Sequence, residues 1–598
     1  MDFLTNYTVP LLKKLAALVK TGLPTRKADL IRVIQTAMSD TQKLQKLWAK
    51  LDTLQQAAIK EALYGESLTF DADGFRAKYG KDPGFGVLRE YGGGNPSLLS
   101  LFIHHNHLPR DLAQRLRPFV PKPKDTQVQS IGELPQTATL SWEEYDYRRG
   151  DRKTVTQDVS LIVAETERAA QQDLYAILRL ISTGKVRVSE KTQRVTKASA
   201  KTITDVLAGG DFYPPVESDD PWETQPGAMK AFGWPLILQS ARLASSSGSK
   251  LQLTAAGKKA LTGQADQTLR TAWTRWLKTT LLDELNRVNV IKGQTGKGKR
   301  QLTAVSKRRE PIVQALQQCP VHQWVAFSDF SRFMRAAGFR FTVSRDPWTL
   351  YIEDANYGSL GYDGFGGWNI LQERYMLAFL FEYAATMGII DVAYIHPSGA
   401  RQDHHELWGT DDLDCLSRYD GLVYFRINAL GAWCLGLADA YVPKAFEQQP
   451  VLRVLANQDI VAVKPLSAAD SLFIEQFTTR TSDDVFKLEA KKLLQMLEDG
   501  HAMKEIIGFL KAKSDGEICE NVVVFLRDIE RRASQLKAVG NALLIEVKEP
   551  SLATQFAHER SLQSLCILAG ENYLVVPADK EKAFRRALRQ LGYALPAA

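Results

Sequence analysis

The chain has 598 residues, of which 44% are apolar, with 76 Lys and Arg against 68 Asp and Glu for a formal charge of +8. That length holds about four to six ordinary domains, and the composition excludes a disordered, collagenous or membrane-embedded chain. The mild basic excess is compatible with nucleic acid without demanding it.

Cys319, Cys415, Cys434, Cys519 and Cys566 are widely separated and form no C-x-x-C pair, which argues against a disulfide framework or a structural zinc site. A reducing, cytoplasmic setting fits that pattern. The first residues lack the regions of a signal peptide. The apolar run at 376–381 ends at Glu382 and is too short to span a membrane.

Residues 1–117 read as a helical domain. Leu11, Leu12, Leu15 and Leu18 share one helical face, and Leu30, Ile31, Ile34 and Met38 share another. Between them Gly22-Leu23-Pro24, followed by Lys27-Ala-Asp-Leu-Ile31, resembles the SAP helix-loop-helix motif, with a shorter loop that lacks the second glycine. That resemblance implies a DNA-backbone contact at Lys27; the alternative is a plain helical hairpin with a solvated basic end. Pro118, Pro121, Pro123 and Pro135 then punctuate polar sequence, so 118–160 reads as a linker.

Residues 161–225 carry helix-turn-helix grammar. Leu174, Ile177, Leu178 and Ile181 line a helix ended by Gly184, and Lys185–Val188 is a short strand. Thr196 caps a helix with Ile203, Val206 and Leu207 on its inner side and Lys197, Ser199, Lys201 and Thr202 on or near its outer side. This helix is either a recognition helix or a packing element of a reused scaffold.

Residues 226–310 contain Leu251-Gln-Leu-Thr-Ala-Ala-Gly-Lys-Lys-Ala-Leu261, a phrase echoed at Phe425-Arg-Ile-Asn-Ala-Leu-Gly-Ala-Trp-Cys-Leu435. Each copy reads as a strand, an N-cap (Thr254 or Asn428) and a short helix whose glycine (Gly257 or Gly431) permits a close neighbour. Helix, strand, strand, helix is the closing order of a winged helix, with Gly248-Ser-Lys250 as the first wing turn. A helix from Leu269 to about Leu285 is expected next. From Leu285 to Arg309 stand Arg287, Lys292, Lys297, Lys299, Arg300, Lys307, Arg308 and Arg309 without an acid. Such a run suits phosphate contacts or is a solvated loop.

Residues 311–447 repeat the winged-helix order around a helix at about 369–387 that is apolar on most sides. The glycine-rich stretch 357–367 carries aromatics that either stack bases or pack as a surface loop.

Residues 448–540 hold a strand at 460–463, a helix bearing Leu472, Phe473 and Phe477, a strand at 485–488, and helices over 490–499, 502–511 and 521–532. Phe486-Lys-Leu488, Leu493 to Gly500, Glu505-Ile-Ile-Gly-Phe-Leu510 and Val522 to Arg532 together resemble the helicase-associated domain of XPB-type helicases. The architecture is also similar to the TFIIH subunit that clamps XPB, and to bacterial helicase-associated proteins without a motor. Ser514-Asp-Gly-Glu517 departs from the family, which usually has proline there. The resemblance implies that Phe473, Phe477, Ile506, Phe509 and Leu510 belong to a partner-binding module. Residues 541–598 read strand, helix, strand, helix, a small α/β cap.

Catalytic patterns fail. Gly293–Arg300 fits G-x-x-x-x-G-K but has Arg300 where Ser or Thr must hold magnesium, and no convincing strand feeds it. Glu546-Val-Lys548 is half of a nuclease motif, while Asp528 falls in a helix. His104, His105 and His107, and Asp403, His404, His405 and Glu406, lack zinc-site spacing. The expectation is therefore an α+β protein, mainly helical with small β-hairpins, built of tandem winged helices and an XPB-like C-terminal module. Its expected role is a non-enzymatic DNA-binding adaptor for a separate helicase, without cofactor, metal or membrane. Lys27, Lys197, Lys201, Lys250, Lys292, Lys297, Lys299, Arg300, Lys307, Arg308 and Arg309 are the expected DNA contacts. The alternatives are a winged-helix transcription regulator and a metal-dependent nuclease.

Overall fold

Leucine and isoleucine at helical spacing organise the N-terminal region. α1 (Val9–Ala17), α2 (Lys27–Ser39), α3 (Thr41–Ala49), α4 (Thr53–Tyr64), α5 (Ala72–Tyr79) and α6 (Arg110–Leu116) bury Leu11, Leu15, Leu30, Ile34 and Met38 in one interior. The computed structural model describes residues 2–87, 94–146, 151–214, 226–293, 301–362, 367–405, 407–410, 412–443, 450–536 and 540–596. The chain is mixed α and β with small antiparallel sheets. Among the described residues no helix is long and apolar enough to cross a membrane.

The expected linker ends at Gln136. Thr137–Asp146 (β1) and Asp151–Ser160 (β2) pair antiparallel along their whole lengths, from Thr137 opposite Ser160 to Asp146 opposite Asp151. Alternating Thr and Val, as in Thr154-Val155-Thr156, favours strands. Ala138, Leu140 and Trp142 alternate along β1, with Val159 and Val155 opposite the first and last, a short stripe that follows a proline-punctuated stretch.

Two copies of one arrangement follow β3 (Ile162–Ala164). The first is α7 (Thr166–Ser182), an extended segment 186–188, α8 (Lys197–Thr204), α9 (Lys230–Ser240), the hairpin β4 (Ala244–Ser247) and β5 (Lys250–Leu253), and α10 (Ala255–Ala260). Segment 186–188 bonds to β5, with the Leu251 amide donating to the Val186 carbonyl at 3.0 Å. The boundary expected at residue 225 therefore does not exist, because 161–225 and 226–260 are one module.

α11 (Ala265–Trp276) stops well short of Leu285. The helix carries its apolar face only as far as Trp276, and Asp283 instead caps a turn over Glu284–Arg287. β6 (Ile291–Gly293) leads into the glycine-rich stretch, contrary to expectation. The second copy is α12 (Val305–Leu316), β7 (Trp324–Ala326), α13 (Phe327–Ala336), β8 (Leu350–Ile352), α14, β9 (Ile390–Tyr394), β10 (Leu422–Ile427) and α15 (Ala429–Cys434). β6 pairs antiparallel with β8, as no nucleotide-binding parallel sheet would. α14 comprises α-helical Arg374–Leu377 between π-helical Asn369–Glu373 and Ala378–Ala384. β10 is central, between β9 and β7, and β3 extends the sheet beside β9.

The repeated phrase is built the same way twice. The Thr254 hydroxyl accepts from the Gly257 amide at 3.1 Å, and the Asn428 side chain from the Gly431 amide at 2.9 Å. A Cβ on Gly257 would stand 2.0 Å from the Leu243 carbonyl oxygen, and one on Gly431 would stand 1.8 Å from that of Ile389. Leu243 and Ile389 each immediately precede the hairpin's first strand, so the two glycines solve one packing problem.

The chain divides into two bodies, Met1–Gln448 with Pro465–Ile474, and Gln449–Lys464 with Glu475–Ala598. In the second, β11 (Leu452–Val454), β12 (Asp459–Ala462), β13 (Thr478–Ser482) and β14 (Val485–Leu488) form a sheet in the order β11-β12-β14-β13. It is followed by α17 (Ala490–Glu498), α18 (Met503–Lys513) and α19 (Glu520–Ala533). The cap is β15 (Ala542–Glu546), α20 (Pro550–His558), β16 (Ile567–Ala569), β17 (Tyr573–Pro577) and α21 (Glu581–Gln590), with β16 an unexpected strand. α16 (Ala468–Ile474), expected in the C-terminal module, belongs instead to the first body. Its Phe473 ring lies under the Arg179 guanidinium of α7 at 4.5 Å, and Asp470 pairs with Arg179 at 3.5 Å.

Candidate nucleic-acid interface

In the first module, Gly184 takes φ +70° to turn the chain out of α7. Val186 and Val188 then point inward, and alternation leaves Lys185 and Arg187 exposed. The segment is clamped on both sides. The Val188 amide donates to the Ser249 carbonyl at 2.8 Å, and the Thr196 amide to the Arg187 carbonyl at 3.1 Å. Ser199, expected on the outer face of α8, is buried, and its hydroxyl accepts from the Arg187 amide at 2.8 Å.

Strand segment, α8 and hairpin turn thereby share one surface. It carries Lys185, Arg187, Lys191, Arg194, Lys197, Lys201 and Lys250, with Glu190 the one acid from Lys185 to Thr204. Arg187 and Lys250 are bridge partners across the strands. Like charges set opposite each other cost stability, and among the described residues none of these cations is in an ion pair. An external anion would relieve that repulsion. Lys197, Lys201 and Lys250 were legible in the sequence. Lys185, Arg187, Lys191 and Arg194 lie in the same basic stretch but count only once the segment is known to pair with the hairpin.

The remaining expected contacts are dispersed. Lys27 is exposed at the start of α2, its ammonium donating to the Thr5 carbonyl at 2.7 Å. Lys292 pairs with Glu353 at 2.6 Å, and Lys307 is exposed on α12. Lys297, Lys299 and Arg300 lie outside the described residues.

Arg308 and Arg309 require correction, since both are buried. Arg308 donates from Nη1 to Asp283 at 2.9 Å, and Arg309 donates from Nε to Glu284 at 2.7 Å. Their acids stand just before the window that looked uncompensated. Ion pairing more than offsets burial and raises both guanidinium pKa values.

The helices that would enter a groove are not free. In each module the helix preceding the hairpin is buried. α9 buries Trp234, Leu236, Ile237 and Leu238, and α14 buries everything from Arg374 to Ala384. Their packing on each other is close, for a Cβ on Gly233 would lie 3.5 Å from the Glu382 carbonyl oxygen. α8, expected to be the last helix of its motif, precedes α9 and lies outside that contact.

The partner-binding expectation also changes. Phe473, Phe477, Ile506, Phe509 and Leu510 are all buried, so none of them presents a surface to another chain. Phe473 sits in the first body and the others form the interior of the second.

Buried titratable groups are structural. Glu382 accepts two bonds from Arg287 Nε, at 3.0 and 3.1 Å, and one from the Tyr383 hydroxyl at 3.0 Å. Burial raises its pKa against the pull of Arg287. Asp403 receives the Arg374 fork, with Nη2 at 2.6 Å, which holds it well below the usual carboxylate range. His404 is buried, its Nε2 2.9 Å from the Leu413 carbonyl. Asp528, the nuclease candidate, is taken by Arg531 at 2.7 Å and Arg532 at 2.5 Å. Among the described residues no group of three His, Cys, Asp or Glu side chains is placed to hold a metal ion. No protein-family model matches this sequence, and no curated protein matches it either.

Proposed function

We propose that this chain is a non-enzymatic scaffold that binds nucleic acid through the sugar-phosphate backbone, at the face formed by segment 186–188, α8 and the β4–β5 turn. The observation that carries this reading is the cluster of seven cations around the single acid Glu190, in which Arg187 faces Lys250. Phosphate contacts of this type are strong, salt-sensitive and blind to sequence. The modules are best read as tandem winged helices used as a scaffold, their third helices turned against each other. That favours backbone binding over a sequence-reading regulator, which needs a helix free to reach base edges.

The resemblance of 450–540 to helicase-associated modules adds a separate ATP-driven motor as partner. Contact with it would fall on the exterior of that module, where Leu455, Val463, Val524 and Leu536 are exposed, because Phe477, Ile506, Phe509 and Leu510 are interior.

The test is the triple variant Arg187→Glu, Lys197→Glu and Lys250→Glu, with binding to a random-sequence duplex measured across salt concentrations. Three lost phosphate contacts should flatten the log–log salt slope by about 2.7, at about 0.9 per contact. An unchanged slope and affinity would remove this face from the interface. An ATPase retained by the intact protein from nuclease-treated extract would support the motor, and retention of none would count against it.

A further inference from the structure

Four large side chains stand apart on the surface of the first body. Trp348, Tyr357, Tyr362 and Trp408 are 54, 52, 49 and 65% exposed. Between residues 164 and 436, among the described residues, they are the exposed large apolar side chains, and all are aromatic. They also lie together. The Trp348 and Tyr362 rings meet edge-on at 5.0 Å, and Tyr362 and Trp408 are 6.4 Å apart at 43°.

Glycine backbone seats the rings. A Cβ on Gly361 would fall 2.3 Å from the Trp348 ring, and one on Gly409 would fall 2.4 Å from the Tyr357 ring. Reciprocally, the Trp408 ring lies 3.4 Å from the Cβ position of Gly358. Thus Tyr357-Gly358 and Trp408-Gly409 interlock, each ring over the other's glycine. Rings backed in this way are held in place before any ligand arrives, which lowers the entropy cost of binding.

Three of the nearby acids are already engaged, while Asp412, four residues past Trp408, is exposed and in no ion pair among the described residues. Asp346 accepts from the Trp348 amide at 3.1 Å, Asp354 from the Asn356 amide at 2.9 Å, and Glu353 holds Lys292 at 2.6 Å. Arg345, three residues before Trp348, is exposed and in no ion pair among the described residues. The surface thus combines aromatic faces with an uncommitted cation, the pairing that single-stranded nucleic acid uses. An aliphatic partner segment would be met by exposed Leu, Ile or Val, and none stands there.

We infer that Trp348, Tyr357, Tyr362 and Trp408 form a stacking platform for the unpaired bases of single-stranded nucleic acid, with Arg345 beside it for phosphate. This rests on the backbone-binding reading above and gives it a preferred strand state.

The experiment compares a fluorescent 20-nucleotide oligo-dT with a duplex of equal length, binding to the full chain and to the double variant Trp348→Ala, Trp408→Ala. Single-strand affinity should fall at least about 30-fold, the lower end for two stacked bases, with duplex affinity unchanged. Trp348→Phe, Trp408→Phe should restore most of the loss. If the wild type binds both ligands and the alanine variant binds both equally well, the platform is overturned while the backbone reading stands. Equal loss on both ligands also overturns it. A wild type that binds neither overturns both readings.

Discussion

Replacing Arg309 with methionine tests whether the basic run is surface or interior. Arg309 is fully buried and donates to Glu284 at 2.7 Å, to the Thr279 carbonyl at 2.8 Å, to the Leu282 carbonyl at 3.1 Å and to the Trp276 carbonyl. Methionine fills similar space but leaves Glu284 buried with the Tyr375 hydroxyl, at 2.7 Å, as its remaining partner here. Stranding one member of a buried pair costs about 3–5 kcal/mol. The Thr279 and Leu282 carbonyls, which lose their donor, add about 1 kcal/mol each where water cannot reach them, while the Trp276 carbonyl keeps the Thr279 amide at 3.2 Å. We expect Arg309→Met to cost about 5–7 kcal/mol, Lys307→Ala on the exposed side of the same helix to cost under about 0.5 kcal/mol, and Glu284→Met with Arg309→Met to recover about 2 kcal/mol of the loss. Urea unfolding followed by tryptophan fluorescence reads this directly, since Trp276 lies 5.0 Å from the Arg309 guanidinium. A cost below about 1 kcal/mol for Arg309→Met, or equal costs at 307 and 309, would refute the reasoning.

Gly257→Ala and Gly431→Ala should each lose at least about 2 kcal/mol in thermal melts, because the new methyl meets a backbone carbonyl. Gly508→Ala, on α18 with nothing near its Cβ position, should instead gain about 0.5–1 kcal/mol. Asn428→Ala removes the α15 cap and a 3.0 Å bond to Asp391, and should cost about 1–2 kcal/mol by the same assay. His104, stacked on Phe3 at 4.4 Å, has its pKa lowered to about 4 by burial and then by His105 and His107. The folded ring stays neutral while the unfolded one, with a pKa near 6.5, takes up a proton. The N-terminal helices therefore lose stability as pH falls from about 6.5 to 4. Protection factors in α1, corrected for the intrinsic slowing of exchange in acid, should fall on that acidification, and should fall less in His104→Phe.

Short-range grammar was legible and long-range pairing was not. The repeated phrase could be read because its cap, glycine and strand lie within eleven residues, and neighbours enforce all three. Arg308 and Arg309 could not, because their partners Asp283 and Glu284 lie 25 residues upstream across a turn. A charge count over a window treats such residues as unpaired. The ribbon β1–β2 does carry a short alternation, Ala138, Leu140 and Trp142 with Val159 and Val155 opposite, but the prolines before it make the stretch read as a linker. The apolar residues of α16 mark a helix in the sequence, but nothing local says which body takes it or that Phe473 is interior and not a partner contact. For the basic face, three of its cations were visible in sequence, and their convergence with Arg187 depended on a strand pairing.

The excursion of α16 has a practical corollary for limited proteolysis. The chain passes from the first body to the second near residue 448, returns for Pro465–Ile474, and leaves again. A single nick near residue 448 therefore yields two polypeptides that should still copurify, because the smaller one keeps α16 seated on α7. Separation needs either a second cut beyond Ile474 or release of the helix. Arg179→Ala, which removes both the ring contact and the ion pair while Phe473 and Ile474 stay buried, should lower the urea concentration at which the clipped fragments part.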